Sequence, residues 1–297
     1  ASIPRIPTTT IQNASSTLAV VDTVATTSAQ TPIIPVLKKV IPPAPKPTPK
    51  PAPATPLQAT PISAPTSLLP SESASLDASA ATLRAALVNI ICYAPAGSGL
   101  RSISGSGVIV DPKGIILTNA HIAQNFLLAD RNVSCTIRAG SPAIDTYKAS
   151  LIYISPAWIQ ANANILTQTN PSGTGEYDFA FLAITKSATS VALPSSFPFI
   201  PLATAPPPIG TPVVIASYGA QFLESNQIQS FLFPTIVFGS VKDVFTFAAT
   251  TIDVLTLGGS AAAQEGSSGG GVADGNGKLV GTITTSTTNG STDTRKL

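Results

Sequence analysis

Residues 105–121, GSGVIVDPKGIILTNAH, constrain the fold more tightly than any other stretch of this chain. Val108-Ile109-Val110 and Ile115-Ile116-Leu117 are apolar and mostly β-branched, which suits buried strands. Between them stands Asp111-Pro112-Lys113-Gly114, a turn in which proline presets φ at a central position and glycine accepts a positive φ. The stretch predicts a buried hairpin ending at Thr118-Asn119-Ala120-His121, so the only histidine of 297 residues is delivered to one end of a sheet. A lone histidine is more often structural than catalytic, and this one assigns no chemistry by itself.

The rest of the chain divides by composition. Residues 1–30 are rich in Ser, Thr and Ala without apolar periodicity and read as disordered. Residues 31–70 hold 13 of the 28 prolines. That density blocks helices and sheet ladders and favours extended polyproline II, with a reach of about 120 Å. Residues 1–72 are therefore expected to be a disordered stalk, and residues 73–297 the working domain.

A short helix is predicted over 78–87, where Leu83, Ala86 and Leu87 fall at helical spacing. Strands are predicted over 88–93, 100–110, 115–117, 134–139, 147–155 and 179–184, and six short strands with turn signals between them predict a closed barrel. A long insertion over 156–176 holds the only Trp, Trp158, and is expected near the substrate cleft. After a proline-rich connection come strands over 211–218, 233–245 and 251–257. Residues 272–285 form a hairpin around Asp274-Gly275-Asn276-Gly277.

Two further motifs change the weight of the histidine. Gly266-Ser267-Ser268-Gly269-Gly270 fits the pattern G-x-S-G-G, and Tyr177-Asp178-Phe179-Ala180-Phe181-Leu182 sets an acid at the mouth of an apolar strand. His, Asp and Ser stand in that chain order, 57 and 90 residues apart. Over roughly residues 86–286 the sequence resembles the chymotrypsin-like serine peptidases, and within them the bacterial HtrA-like (Deg) branch.

The resemblance implies an all-β protein of two six-stranded antiparallel Greek-key barrels, the first over about 86–185 and the second over about 205–297. Residues 287–297 (TTNGSTDTRKL) do not look like the strand that closes the second barrel in that family, so this barrel is expected to be incomplete at its C-terminal end. No PDZ-like module follows, which departs from the HtrA pattern.

It also implies chemistry. A serine hydroxyl is a weak nucleophile until a base removes its proton, and His suits that task near neutral pH. The resemblance makes His121 the base, Asp178 the orienting acid and Ser268 the nucleophile, with the N–H groups of Gly266 and Ser268 as the oxyanion hole. Asp130, Asp145 and Asp253 are the rival acids. The first two sit in turn-like contexts, and Asp253 falls after the first barrel. Position 267, usually Asp or Asn in the family, is Ser. Ala262 occupies the implied base of the specificity pocket, so small or medium apolar side chains are expected there. Thr284, Thr285 and Ser286 would pair with the substrate backbone as an added strand.

Charge and cysteine content narrow the setting. A net charge of +2 with no basic cluster argues against nucleic acid as a partner, leaving a protein or peptide substrate. One histidine and two cysteines exclude a zinc site of the Cys/His type, and no metal or cofactor is expected. Cys92 and Cys135 are either buried thiols or a disulfide worth about 4 kcal/mol in the chain-entropy model. No stretch is apolar enough for a transmembrane helix, and residues 1–30 lack signal-peptide character. With no methionine, even at position 1, the chain reads as a processed product or a fragment; export is expected, and the stalk is a candidate link to the cell envelope. The competing reading is a catalytically inactive, protease-like binding or adhesion module on the same scaffold.

Overall fold

A computed structural model describes residues 70–167, 175–220, 223–247, 251–258 and 266–284, all within one compact unit, Ser63–Leu297. The stalk expected over 1–72 lies outside the described residues up to position 69. Its predicted boundary falls inside a helix: α1 runs Pro70–Ala86, longer than the helix read from the sequence. A proline at the first helical position lacks an N–H that would have gone unpaired there, so it starts the helix instead of blocking it. Leu76, Ser79, Leu83 and Ala86 are buried at helical spacing, and α1 packs on strands of both sheets.

Strands β1 (Leu87–Tyr93), β2 (Ile103–Asp111), β3 (Ile115–Thr118), β4 (Ser134–Gly140), β5 (Ala143–Ile154) and β6 (Ala180–Ser187) close into an antiparallel barrel in the order β1-β2-β3-β6-β5-β4. The hairpin forms as predicted, with Val108 opposite Leu117 and Ile109 opposite Ile116. Val88, Ile90, Val108, Ile116, Ile137 and Leu182 fill the interior and are essentially without solvent contact. The β1–β4 pairing closes the ring, and there Cys92 and Cys135 face each other in register and form a disulfide.

The second sheet is open among the described residues and has five strands: β7 (Pro212–Ser217), β8 (Thr235–Phe245), β9 (Val254–Gly258), β10 (Gly271–Asp274) and β11 (Leu279–Thr282), in the order β11-β10-β7-β8-β9. Residues 285–297 lie outside the described residues. Alternate residues of a strand point to opposite faces. In β7, Val213 and Ile215 enter the core of this sheet, whereas Val214 and Ala216 enter the larger core shared with the first barrel. Burial on both faces explains why β7 reads as an unbroken apolar run.

Three short α-helices, α2 (Ala120–Ala123), α3 (Pro156–Ala161) and α4 (Ser225–Ser230), and two 3-10 helical segments, Gln124–Arg131 and Ile165–Thr167, complete the elements of the described residues. In the predicted insertion, Ser155 caps α3 and Trp158 is buried; residues 168–174 of that insertion lie outside the described residues. The sequence SNQIQS of α4 has no apolar periodicity and was not expected to be helical. Glu224 and Gln227 form a capping box at its start. At its end the buried Arg138 donates to Ile228 O (2.9 Å) and Gln229 O (2.5 Å), taking carbonyls that no helical N–H can reach.

Candidate active site

Strand register brings the histidine and the acid together. β3 and β6 are antiparallel neighbours with Thr118 opposite Ala180. His121 lies three residues beyond the end of β3, and Asp178 two residues before the start of β6, so both emerge at the same end of the barrel. Asp178 Oδ2 is 2.7 Å from His121 Nδ1, and Asp178 Oδ1 accepts the His121 backbone N–H at 2.9 Å. The second bond uses one of the N–H groups that the first turn of α2 leaves without a helical partner. A carboxylate only accepts, so this contact suits the tautomer with the proton on Nδ1, which leaves Nε2 as the acceptor. The Asp178 side chain is 6% exposed and that of His121 28%, so the acid is shielded while the base can be reached from solvent.

The rival acids are engaged elsewhere. Asp145 pairs with Arg138 at 3.4 Å, Asp253 accepts Phe247 N and the Thr251 hydroxyl in its own loop, and Asp130 is exposed beside Arg131.

Asn119, wholly buried, was missed from the sequence. Its Nδ2 donates to Asp178 O (2.9 Å) and to Thr284 Oγ1 (3.1 Å), tying the acid to the second sheet. Its Oδ1 is buried with no partner among the described residues. An unmet buried acceptor costs about 1–3 kcal/mol, so Asn119 is better explained by what its amide holds than by net stability. Thr284 thus enters the site through its hydroxyl, a contact the sequence did not suggest. Ala262, Thr285 and Ser286 lie outside the described residues.

The serine loop docks against the same strand ends. Gly266 has φ +86°, and a Cβ there would stand 2.8 Å from Tyr218 O. Gly269, at φ +84°, sits so close to Ser106 O and Thr118 Oγ1 that no side chain could replace its hydrogen. Three consecutive carbonyls of the loop are held from inside the protein: Gly266 O by Ser106 Oγ (2.8 Å), Ser267 O by Gly270 N (2.8 Å) and Ser268 O by Ser106 N (2.7 Å). In a trans peptide the N–H points opposite to the preceding C=O, so the Ser268 N–H faces away from the contact that holds Ser267 O. The Gly269 and Ile283 amides exchange bonds with Ile283 O and Gly270 O, both 2.8 Å, which fastens the loop to the end of β11. Among the described residues no hydrogen bond joins Ser268 Oγ to His121. In unliganded sites such bonds are often long and tighten with substrate.

Burial pushes the Tyr218 phenol up to about 12, against the opposing charge of Arg84. Its hydroxyl donates to Gly140 O at 2.7 Å, across from the second sheet to the first barrel.

Residues 105–281 match a protein family described as the trypsin-like peptidase domain. Among curated proteins none matches the sequence. Two solved structures are similar to the chain. The Rv3671c protease from M. tuberculosis in its active form is 21% identical, with 78% of this chain and 83% of that chain covered and a TM-score of 0.45. The inactive form of Rv3671c from M. tuberculosis H37Rv, carrying a serine-to-alanine substitution, is 18% identical, with 69% and 77% covered and a TM-score of 0.41.

Proposed function

The chain belongs to the trypsin-like peptidase domain family and is a serine endopeptidase, and on that premise we propose that it cleaves peptide bonds through His121, Asp178 and Ser268 by way of an acyl-enzyme. His121 Nε2 takes the Ser268 proton as Oγ attacks the scissile carbonyl. The oxyanion of the tetrahedral intermediate is stabilised by the Gly266 and Ser268 N–H groups. The proton passes from His121 to the leaving amine, the acyl group stays on Ser268, and a water activated by the same imidazole releases it. Asp178 holds the tautomer and stabilises the imidazolium. The observation that carries this reading is the 2.7 Å contact of His121 Nδ1 with a shielded carboxylate that also caps the His121 backbone.

No carboxylate stands at position 262, so a Lys or Arg side chain would find no counter-charge at the implied pocket base. Small or medium apolar residues are the proposed preference on the acyl side, with residues 284–286 binding the substrate backbone as an added strand. The barrel-closing disulfide supports residence in an oxidising, exported compartment, with the proline-rich stalk as the link to the cell envelope.

A fluorophosphonate probe, with the adduct mapped by mass spectrometry, tests the chemistry. Labelling at Ser268 that is lost in His121→Ala is the expected result. A folded wild-type protein unlabelled at Ser268 would replace the enzyme reading with the binding module.

A further inference from the structure

We infer that Ser106, in β2, is a positioning residue that sets the oxyanion hole from the opposite barrel; the inference rests on the serine peptidase reading above. Ser106 touches neither the imidazole nor the nucleophilic hydroxyl, yet it is wholly buried and every polar group it owns is used. Its N–H donates to Ser268 O (2.7 Å) and its carbonyl accepts Thr118 Oγ1 (2.7 Å). Its hydroxyl accepts from Tyr218 N (2.9 Å) and donates to Gly266 O (2.8 Å). The direction of the last two bonds is fixed: an amide can only donate and a carbonyl only accept, so the single hydroxyl proton goes to Gly266.

Ser106 is therefore the point where the strand leading to the base, the second sheet and the first and third residues of the serine loop meet. The loop cannot hold this shape unaided. Gly266, Gly269, Gly270 and Gly271 leave its backbone unusually free, and a free backbone spends little of its time with its N–H groups aimed at one oxygen. Ser106 grips the first and third carbonyls of the loop, and Gly270 N takes the one between them. Oxyanion stabilisation depends on donors already in place when charge develops, so a residue that fixes their backbone acts on the transition state and not on substrate capture. Ser106→Ala removes the donor to Gly266 O and the acceptor for Tyr218 N in one step, while both backbone bonds of residue 106 remain.

The test compares wild type with S106A on four readouts: kcat and KM for a peptide substrate, affinity for a peptide boronate that forms a tetrahedral adduct, affinity for the matching product peptide, and rate of fluorophosphonate labelling at Ser268. Loss of one oxyanion donor lowers kcat by about 10²–10³-fold, so a loosened donor in S106A is expected to lower it by roughly 10–10²-fold. KM and product affinity should stay within about twofold, since ground-state binding is not involved, and boronate affinity should fall in parallel with kcat/KM. Unchanged kcat, or equal losses of boronate and product affinity, would overturn the positioning role. If S106A does not fold, S106C, which keeps a weak donor at the same atom, carries the same comparison. A wild-type protein not labelled at Ser268 would remove the enzymatic reading and this inference with it. A labelled wild type with S106A reacting at the same rate would remove this inference alone.

Discussion

The first barrel and the second sheet contribute to the site in different ways. The barrel is closed, disulfide-linked at its seam, and sets His121 against Asp178 by the register of two neighbouring strands. The second sheet is open among the described residues and offers Ser268 on a glycine-rich loop whose shape is imposed by contacts reaching across from the barrel. The His121–Asp178 contact is thus a property of one barrel. The placement of the Ser268 loop is a property of the junction, where Ser106, Thr118, Asn119 and Tyr218 make their hydrogen bonds.

Substitutions can break this contrast in order of expected effect. Ser268→Ala should lower kcat on the order of 10⁴–10⁶-fold with the melting temperature retained, as steady-state kinetics and calorimetry would show. Retained turnover would mean that the second sheet does not carry the nucleophile. Asp178→Asn should lower kcat by about 10⁴-fold near neutral pH, because an amide no longer favours the tautomer with a free Nε2. A pH–rate profile unaltered by this change would detach the acid from the base.

Cys92→Ala with Cys135→Ala bears on the barrel alone. Opening this cross-link should cost about 4 kcal/mol in a denaturant titration, with kcat of the still-folded fraction unchanged. A parallel loss of kcat would show that the barrel seam and the site are coupled. Asn119→Ala should lower kcat by about tenfold, corresponding to one buried hydrogen bond to the acid-bearing segment. Its stability should fall by less than an ordinary buried amide would suggest, because the substitution also removes an unsatisfied acceptor.

The smallest effect concerns Tyr218. Its pKa is raised in the folded state by burial, so the native protein holds this proton more tightly than the unfolded chain. The stabilisation is complete below about pH 10 and is lost as pH rises toward about 12. Absorbance titration should therefore find one tyrosine of the five ionising late, coincident with alkaline unfolding, and Tyr218→Phe should remove that step. Early ionisation would mean that the contact with Gly140 opens readily.

The legible parts of this protein share a physical feature: their signal is local. The hairpin of residues 105–121 declares itself by β-branched runs around a proline turn, and the barrel strands follow from the same alternation. His121, Asp178 and Ser268 could be proposed because each lies in a short motif through which the sequence resembles a known family. Helix α4 was not found, since its stability comes from a capping box and from Arg138, 90 residues before the Ile228 carbonyl it holds, and not from its own apolar pattern. The start of α1 was placed too late because the proline of the stalk composition is also a good first helical residue.

The sequence by itself determined the strands of the first barrel, because strand periodicity and turn chemistry act over a few residues, and it set the chain order of His121, Asp178 and Ser268. Only the tertiary structure decided that Cys92 and Cys135 are bonded, that Asp178 and not Asp145 or Asp253 meets the histidine, and that Ser106 and Asn119 make hydrogen bonds to the segments carrying Ser268 and Asp178. Those assignments depend on hydrogen bonds and covalent links between residues tens to more than a hundred positions apart, and a short polar side chain carries no mark in the sequence of which distant backbone group it will reach.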